Sequence, residues 1–117
     1  MREQKDTDFV IPIEGVGDFC YARRTLGDNL KIRSEFVKLL NGVDPEQDNE
    51  LTGFATIFAT HKVLCVSAPD GWDDLSSVSE DAHADAVGVV LSLWDKIKEK
   101  QDSFRNRSNG EGKAAGA

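Results

Sequence analysis

The chain has 117 residues, which is enough for one domain with one modest core. Hydrophobic residues make up 39% and charged residues 30%, as in globular proteins, and the formal net charge is -7. This acidic balance argues against binding to nucleic acid or to anionic membranes, because both attract basic surfaces. The sequence has no apolar run of about 18 residues and no signal-peptide core, so a cytosolic protein without a membrane span is expected.

The N-terminal part predicts a flexible arm followed by a β-hairpin. Residues 1–8 are polar and charged and should form a loose arm. Phe9–Ile13 and Asp18–Ala22 are β-prone, and the two glycines between them suit a turn, which predicts a hairpin over 9–22.

Proline in the first strand bears on its position in the sheet. Pro12 has no N–H to donate, so this strand should be an edge strand. A free edge can pair with a strand of another copy or of another protein. Val10 and Ile11 are therefore candidate partner-binding residues.

Three helices are predicted after the hairpin. Apolar residues recur at spacings of three and four over about 25–41 and 79–104, while 49–66 is apolar on nearly every face and should be the central, most buried helix. The stretch 105–117 has little to bury and should be a disordered tail. The predicted fold is α+β and mainly α, a β-hairpin attached to a bundle of about three helices in one domain over 9–104.

The break between the second and third helices contains turn chemistry and a tryptophan. Pro69 disfavours helix before it, and Asp70 and Gly71 are typical of turns. Trp72 either folds back over the core or serves as an interface anchor. Ser77, with Glu80 three residues later, suits a capping box for the third helix, and Ser79 is the alternative cap.

The cysteines and histidines offer only weak candidates for catalysis. Cys20 and Cys65 each have apolar neighbours and are interpreted as buried free thiols. His61 precedes Cys65 by one helical turn, so the two could form a nucleophile pair, but no orienting group or oxyanion-hole loop accompanies them. We therefore expect a packed thiol beside a surface or interface histidine, and no enzymatic activity.

Metal and cofactor sites are not expected either. His83 lies between Asp81 and Asp85, which could bind a divalent cation but also suit the start of a helix. The alternating acids of 44–50 do not match a calcium loop, and the Gly15–Gly17 turn lacks the remaining features of a phosphate loop.

Two consecutive arginines, Arg23 and Arg24, follow the predicted hairpin in this otherwise acidic protein. Arg23 and Arg24 either form salt bridges with the protein's own acidic surface or contact a partner, and the sequence leaves both interpretations open.

Three segments together resemble the tail assembly chaperones of long, flexible-tailed bacteriophages and prophages. They are Phe9–Pro12, Ala68–Asp73, and Gly15–Asp28, in which a glycine turn and an aromatic strand lead through Arg-Arg-Thr-x-x-Asp into an amphipathic helix. The resemblance covers about residues 9–104. It carries over Arg23, Arg24, Asp70, Gly71 and Trp72 as motif positions, which join Val10 and Ile11 as candidate partner-binding residues.

The resemblance implies a non-catalytic function in virion morphogenesis. Such proteins bind the tape-measure protein, a very long helical molecule, while tail-tube subunits polymerise around it, and they self-associate. They act in the host bacterial cytoplasm, are absent from the mature virion, and commonly have a longer form made by ribosomal frameshifting. Expected partners are thus the tape-measure protein, possibly the tail tube protein, and further copies of the chain. The alternative is a structural virion component, such as a head-tail connector or a minor tail protein.

Overall fold

The computed structural model describes residues 3–116, with side chains described through Arg105. It has the predicted α+β, mainly α fold, in which a small antiparallel sheet packs with three helices. The strands are β1 (Phe9–Ile13), β2 (Gly17–Tyr21) and β3 (Cys65–Ser67), and the helices are α1 (Leu26–Leu40), α2 (Asn49–Leu64) and α3 (Ala86–Gly116).

The sheet confirms the hairpin and adds a strand that the sequence prediction missed. Its order is β1-β2-β3, so β1 lies at an edge, as Pro12 predicted. The predicted helix over 49–66 is wrong at its last two residues, because the chain becomes extended at Cys65, which pairs with Tyr21 of β2. The amide of Ala22 also donates to the carbonyl of Leu64 at 2.8 Å. This strand depends on its neighbour, since three residues carry no periodic signal of their own.

The first two helices begin at local capping interactions. At α1, the Thr25 hydroxyl accepts a hydrogen bond from the Asp28 amide at 3.1 Å, and the Asp28 carboxylate accepts one from the Thr25 amide at 2.9 Å. Asn41 ends the helix in the left-handed region, at φ 50°. Asp48 caps α2 by accepting from the Leu51 amide at 2.9 Å.

The third helix begins later than predicted. Residues 79–85 form turns, so a start at 79 and a helix cap at Ser77 or Ser79 are both wrong. A short 3₁₀ turn, Leu75–Ser77, instead starts at Asp74, whose side chain accepts from the Ser76 amide. This stretch is polar and largely exposed until Ala86, so it offers little apolar surface to hold a helix on the core.

The end of α3 bears on the predicted tail over 105–117. The helix runs through Gly116. The side chains from residue 106 onward lie outside the described part of the chain, and so does the whole of Ala117. The predicted disordered tail over 105–117 falls largely on these residues.

The core lies between the inner face of the sheet, one side of α2, α3 and the loop that follows β3. From α2 it receives Ile57 and Leu64, and this helix also buries Ala55, Ala59, Thr60 and His61, as expected of a central helix. The other buried members are Phe9, Ile11, Ile13, Phe19, Tyr21, Cys65, Trp72, Leu75, Ala86, Val90, Leu93 and Ile97. Helix α1 contributes no side chain to this buried set and packs against α2 from outside.

Candidate partner-binding surfaces

Helix α1 presents apolar side chains to solvent. Leu26 is 84% exposed, Leu30 is 73% exposed and Val37 is 59% exposed, whereas Asp28 on the same helix is buried. These three apolar residues share one face, because spacings of four and seven residues return to the same side of a helix. We call them the α1 stripe. An apolar stripe in this position has no partner within the described residues of the chain.

A groove of about 770 Å³ runs beside this stripe, between α1, the connector after it and α2. We call it the α1 groove. Its polar lining includes Arg24, Asn29 and Arg33. Its apolar lining consists of Ile32, Phe36, Val37, Leu40, Val43 and Pro45. Stripe and groove together form the broad apolar face of α1.

Three arginines surround a second cavity, of about 380 Å³, where the hairpin meets α3. Arg23, Arg24 and Arg105 line it together with Gln101 and Phe104, and we call this set the arginine cluster. The guanidinium carbon of Arg23 lies 3.7 Å from the centre of the Phe104 ring, a cation–π contact. Burial and the neighbouring Arg105 charge lower the pKa of Arg24, although the Asp28 charge opposes them.

The two arginines at the end of the hairpin differ in their surroundings. Arg23 stacks on an aromatic ring of its own chain, and the guanidinium of Arg105 lies 3.6 Å from the Asp102 carboxylate. Arg24 lines both the arginine cluster and the α1 groove, so it joins the two surfaces.

The free edge of β1 is the third surface. Val10 is 49% exposed, but Ile11 is buried in the core, so only the first of these two predicted residues offers its side chain to a partner. Val10, Ile11 and Pro12 border a cavity of about 320 Å³ against α3, which Lys96 and Lys100 also line.

The loop after β3 buries its tryptophan. Trp72 is 2% exposed and its ring packs edge-to-face on Phe19, with centroids 6.0 Å apart, so it closes the core. Its neighbours Asp70 and Gly71 remain exposed in a turn in which the Trp72 amide donates to the Pro69 carbonyl. Gly71 takes φ +86°, which explains glycine there.

His61 lies inside the core, which corrects its prediction as a surface or interface residue. It is 1% exposed, and its Nδ1 lies 2.7 Å from the Tyr21 hydroxyl. Its Nε2 lies 3.0 Å from the Trp72 carbonyl oxygen and 3.1 Å from that of Asp73. Burial lowers the pKa of His61, so the ring is neutral at pH 7. Both ring nitrogens have hydrogen-bond partners within the protein.

The two thiols are buried and free, as predicted. Burial raises the pKa of Cys65 to about 12 and also raises the pKa of Cys20. The Cys65 thiol donates to the Ser67 carbonyl at 3.4 Å. With a protonated thiol and an occupied imidazole, Cys65 and His61 are not arranged as a nucleophile and its base.

The remaining polar candidates take part in local structure. Asp44 accepts from the Glu46 amide, and Asp48 caps α2, so these connector acids order the backbone. The His83 ring packs 4.9 Å from Trp72, between ring centroids. Among the described residues, no group of three His, Cys, Asp or Glu side chains is arranged to hold a metal ion. Within the same part of the chain, no helix is long and apolar enough to cross a membrane.

Sequence reasoning missed the α1 stripe and the place of Arg105 in the arginine cluster. A signal for the stripe was present, because the apolar residues of α1 form two sets, Leu26/Leu30/Val37 and Ile32/Phe36/Leu40, too widely spread for one buried face. Arg105 had no such signal, since only the packing of α3 on the hairpin brings it to Arg24.

Comparisons with protein-family models, curated proteins and solved structures found no match to the chain.

Proposed function

We propose that this chain is a non-catalytic tail assembly chaperone of a long, flexible-tailed phage or prophage, which binds the tape-measure protein during tail assembly. The motif resemblance suggests this class of protein. The observation that carries the proposal is the α1 stripe, with Leu26 and Leu30 in water while Asp28 is buried. Exposed apolar surface of this kind marks a site of protein association.

The shape of this face suits the client. A tape-measure protein is a very long helical molecule, and one recurring way to recognise an amphipathic helix is to bind its apolar face in an apolar groove. The α1 groove, lined by Phe36, Leu40 and Val43 among others, offers such a seat. Covering the client's apolar face would keep it soluble until tube subunits polymerise around it.

Self-association and location belong to the same proposal. The edge of β1, with Val10 exposed, is a place where a second copy could pair. The protein acts in the host cytoplasm, needs no cofactor, and is absent from the finished particle. Its net charge of -7 supports a protein client over nucleic acid or an anionic membrane.

The proposal is tested by co-expressing the chain with the tape-measure protein of its own genome. The fraction of tape-measure protein in the soluble lysate should rise several-fold with the wild-type chain. The double variant L26D/L30D should lose this effect, while V87D, the same kind of change at an exposed residue of α3, should keep it. An unchanged soluble fraction with the wild-type chain would overturn the proposal.

Mass spectrometry of purified particles separates this function from a structural virion component. A chaperone should be missing from mature tails, whereas a connector or minor tail protein would be present at a fixed copy number.

A further inference from the structure

The α1 groove has an unusual charge for this protein. The chain carries 21 acidic residues against 14 lysines and arginines, yet Arg24 and Arg33 line the groove and, within the described residues, no carboxylate does. An apolar trough bordered by guanidinium groups discriminates against basic helices, because like charges repel, and it favours helices that carry Glu or Asp.

The arginine cluster extends this positive border. Arg24 belongs to both sites, so the cavity formed with Arg23 and Arg105 continues the groove at the start of α1. Stacking on Phe104 orients the Arg23 guanidinium, which reduces the entropy lost when it binds an anion.

Gln101 adds an unused donor at the same cavity. Its side-chain Nε2 is buried and has no hydrogen-bond partner within the described residues. A buried amide without an acceptor costs free energy, and a bound carboxylate would recover it once the Gln101 side chain turns its Nε2 toward the cavity. Among the described residues, Arg24, Arg105 and Gln101 line this cavity and no carboxylate does, although the Arg105 guanidinium also lies 3.6 Å from the Asp102 carboxylate outside the lining.

We infer that the α1 groove and the arginine cluster together bind one amphipathic helix of a partner protein, with its apolar stripe in the groove and its carboxylates on the arginines. The identity of the partner, a segment of the tape-measure protein, rests on the proposed function. The inference adds which kind of segment is recognised. That segment has Glu or Asp beside its apolar stripe, at the end that meets Arg24.

The length of the recognised segment follows from α1. Its 15 residues extend about 22 Å at a rise of about 1.5 Å per residue. A helix lying along this face is therefore about four turns long, with apolar residues at spacings of three and four toward Ile32, Phe36 and Val37.

A designed peptide tests the chemistry directly. The probe is a fluorescein-labelled, 18-residue helical peptide with a leucine stripe and three glutamates at one end; its twin carries lysines instead. Fluorescence anisotropy in low salt should show the glutamate peptide binding the wild-type chain at least about tenfold more tightly than its twin. Equal affinities would overturn the inference.

Matched variants locate the contact. R24E should weaken the glutamate peptide about tenfold and strengthen its lysine twin, whereas R33E, nine residues further along the groove, should shift both affinities in the same directions by a smaller factor. K31E makes the same charge change on an exposed residue of α1 outside the groove, and it should leave both affinities within about twofold. Circular dichroism verifies that each variant folds. An equal effect of K31E would show bulk charge and overturn the assigned site.

Two further outcomes concern the occupant and the function. If V37D converts an oligomer to monomers and the peptide competes with self-association, a second copy occupies the groove and the inference falls. If R24E and R33E solubilise the tape-measure protein as well as wild type does, the inference falls while the function stands. If peptide affinity follows the charges but the tape-measure protein stays insoluble, the function falls and the helix site stands.

Discussion

The hydroxyl of Tyr21 donates a hydrogen bond to Nδ1 of His61 across 2.7 Å in the core. Carbonyl oxygens only accept, so the contacts of Nε2 with the Trp72 and Asp73 carbonyls place the imidazole proton on Nε2. Nδ1 must then accept, and the phenol must donate. One histidine therefore ties β2 to the loop after β3, and its neutral form is the one that fits.

Removing the Tyr21 hydroxyl should destabilise the fold without changing its shape. Y21F leaves Nδ1 of His61 buried without a donor, so the free energy of unfolding in urea should fall by about 1–3 kcal/mol. T60V is the matched control, because the Thr60 hydroxyl only adds a bond to the Thr56 carbonyl within α2, and it should cost less than about 1 kcal/mol. Equal losses of unfolding free energy in Y21F and T60V would mean that the hydrogen bond between Tyr21 and His61 stabilises the fold no more than the Thr60 hydroxyl does.

Stability should decrease with falling pH in a window set by His61. Burial lowers the pKa of His61 in the folded state, whereas an unfolded histidine has a pKa of about 6.5. Below about pH 6.5 the unfolded chain binds a proton that the folded chain does not, so stability is fully present above this pH and is lost as pH falls toward the folded pKa. Urea unfolding between pH 8 and 5, with the His61 titration followed by NMR, measures the effect.

The acidic groups near His61 act in a different window. The Asp73 and Asp74 charges favour the imidazolium but are outweighed by burial. Hydrogen bonds from Ser76 lower the pKa of Asp74, so the contribution of Asp74 to stability is lost only below about pH 5.

A free energy of unfolding that stays constant between pH 7.5 and 5 would contradict a neutral, buried His61.

Alanine at Gly17 should be strongly destabilising. Gly17 has φ +136°, and an added Cβ would lie 2.9 Å from Cγ of Pro69, where the hairpin turn meets the loop after β3. G17A should lower the free energy of unfolding by about 2 kcal/mol or more. Gly15 also has a positive φ, +80°, but a Cβ added there would meet no atom within 4 Å. G15A should therefore lower the free energy of unfolding by only about 1 kcal/mol.

The contact with Pro69 can be separated from the backbone strain at Gly17. Replacing the ring in the double variant G17A/P69A should recover part of the loss, since it removes the atom that the new Cβ meets. If the loss is the same with and without Pro69, backbone strain alone accounts for it.

Both thiols should be protected from thiol–disulfide exchange in the folded protein. Burial raises the pKa of Cys65 to about 12, so at pH 8 only about one molecule in ten thousand carries the thiolate. Reaction with a disulfide reagent should be at least about a hundredfold slower than in guanidinium chloride, where both thiols are exposed. Rapid labelling of Cys65 in the native state would contradict this and make a nucleophilic role worth testing.

The sequence by itself determined the features that depend on neighbouring residues. Thr25 and Asp28 form a cap within one helical turn, and Asn41 ends α1 in the left-handed region, which asparagine adopts more readily than most residues. Pro12 excluded β1 from the middle of a sheet, because a missing N–H has the same consequence in any fold. Such short-range rules also gave the hairpin, the three helices and the two buried thiols.

Only the tertiary structure decided which faces meet. Helical spacing shows that Leu26, Leu30 and Val37 share a side, but not that this side points to solvent while Asp28 points inward. The same holds for β3, whose three residues are a strand only because β2 offers them hydrogen bonds. His61 is a core residue because Tyr21, distant in sequence, brings the donor that Nδ1 needs, and burial is a property of the assembled fold that no local pattern carries.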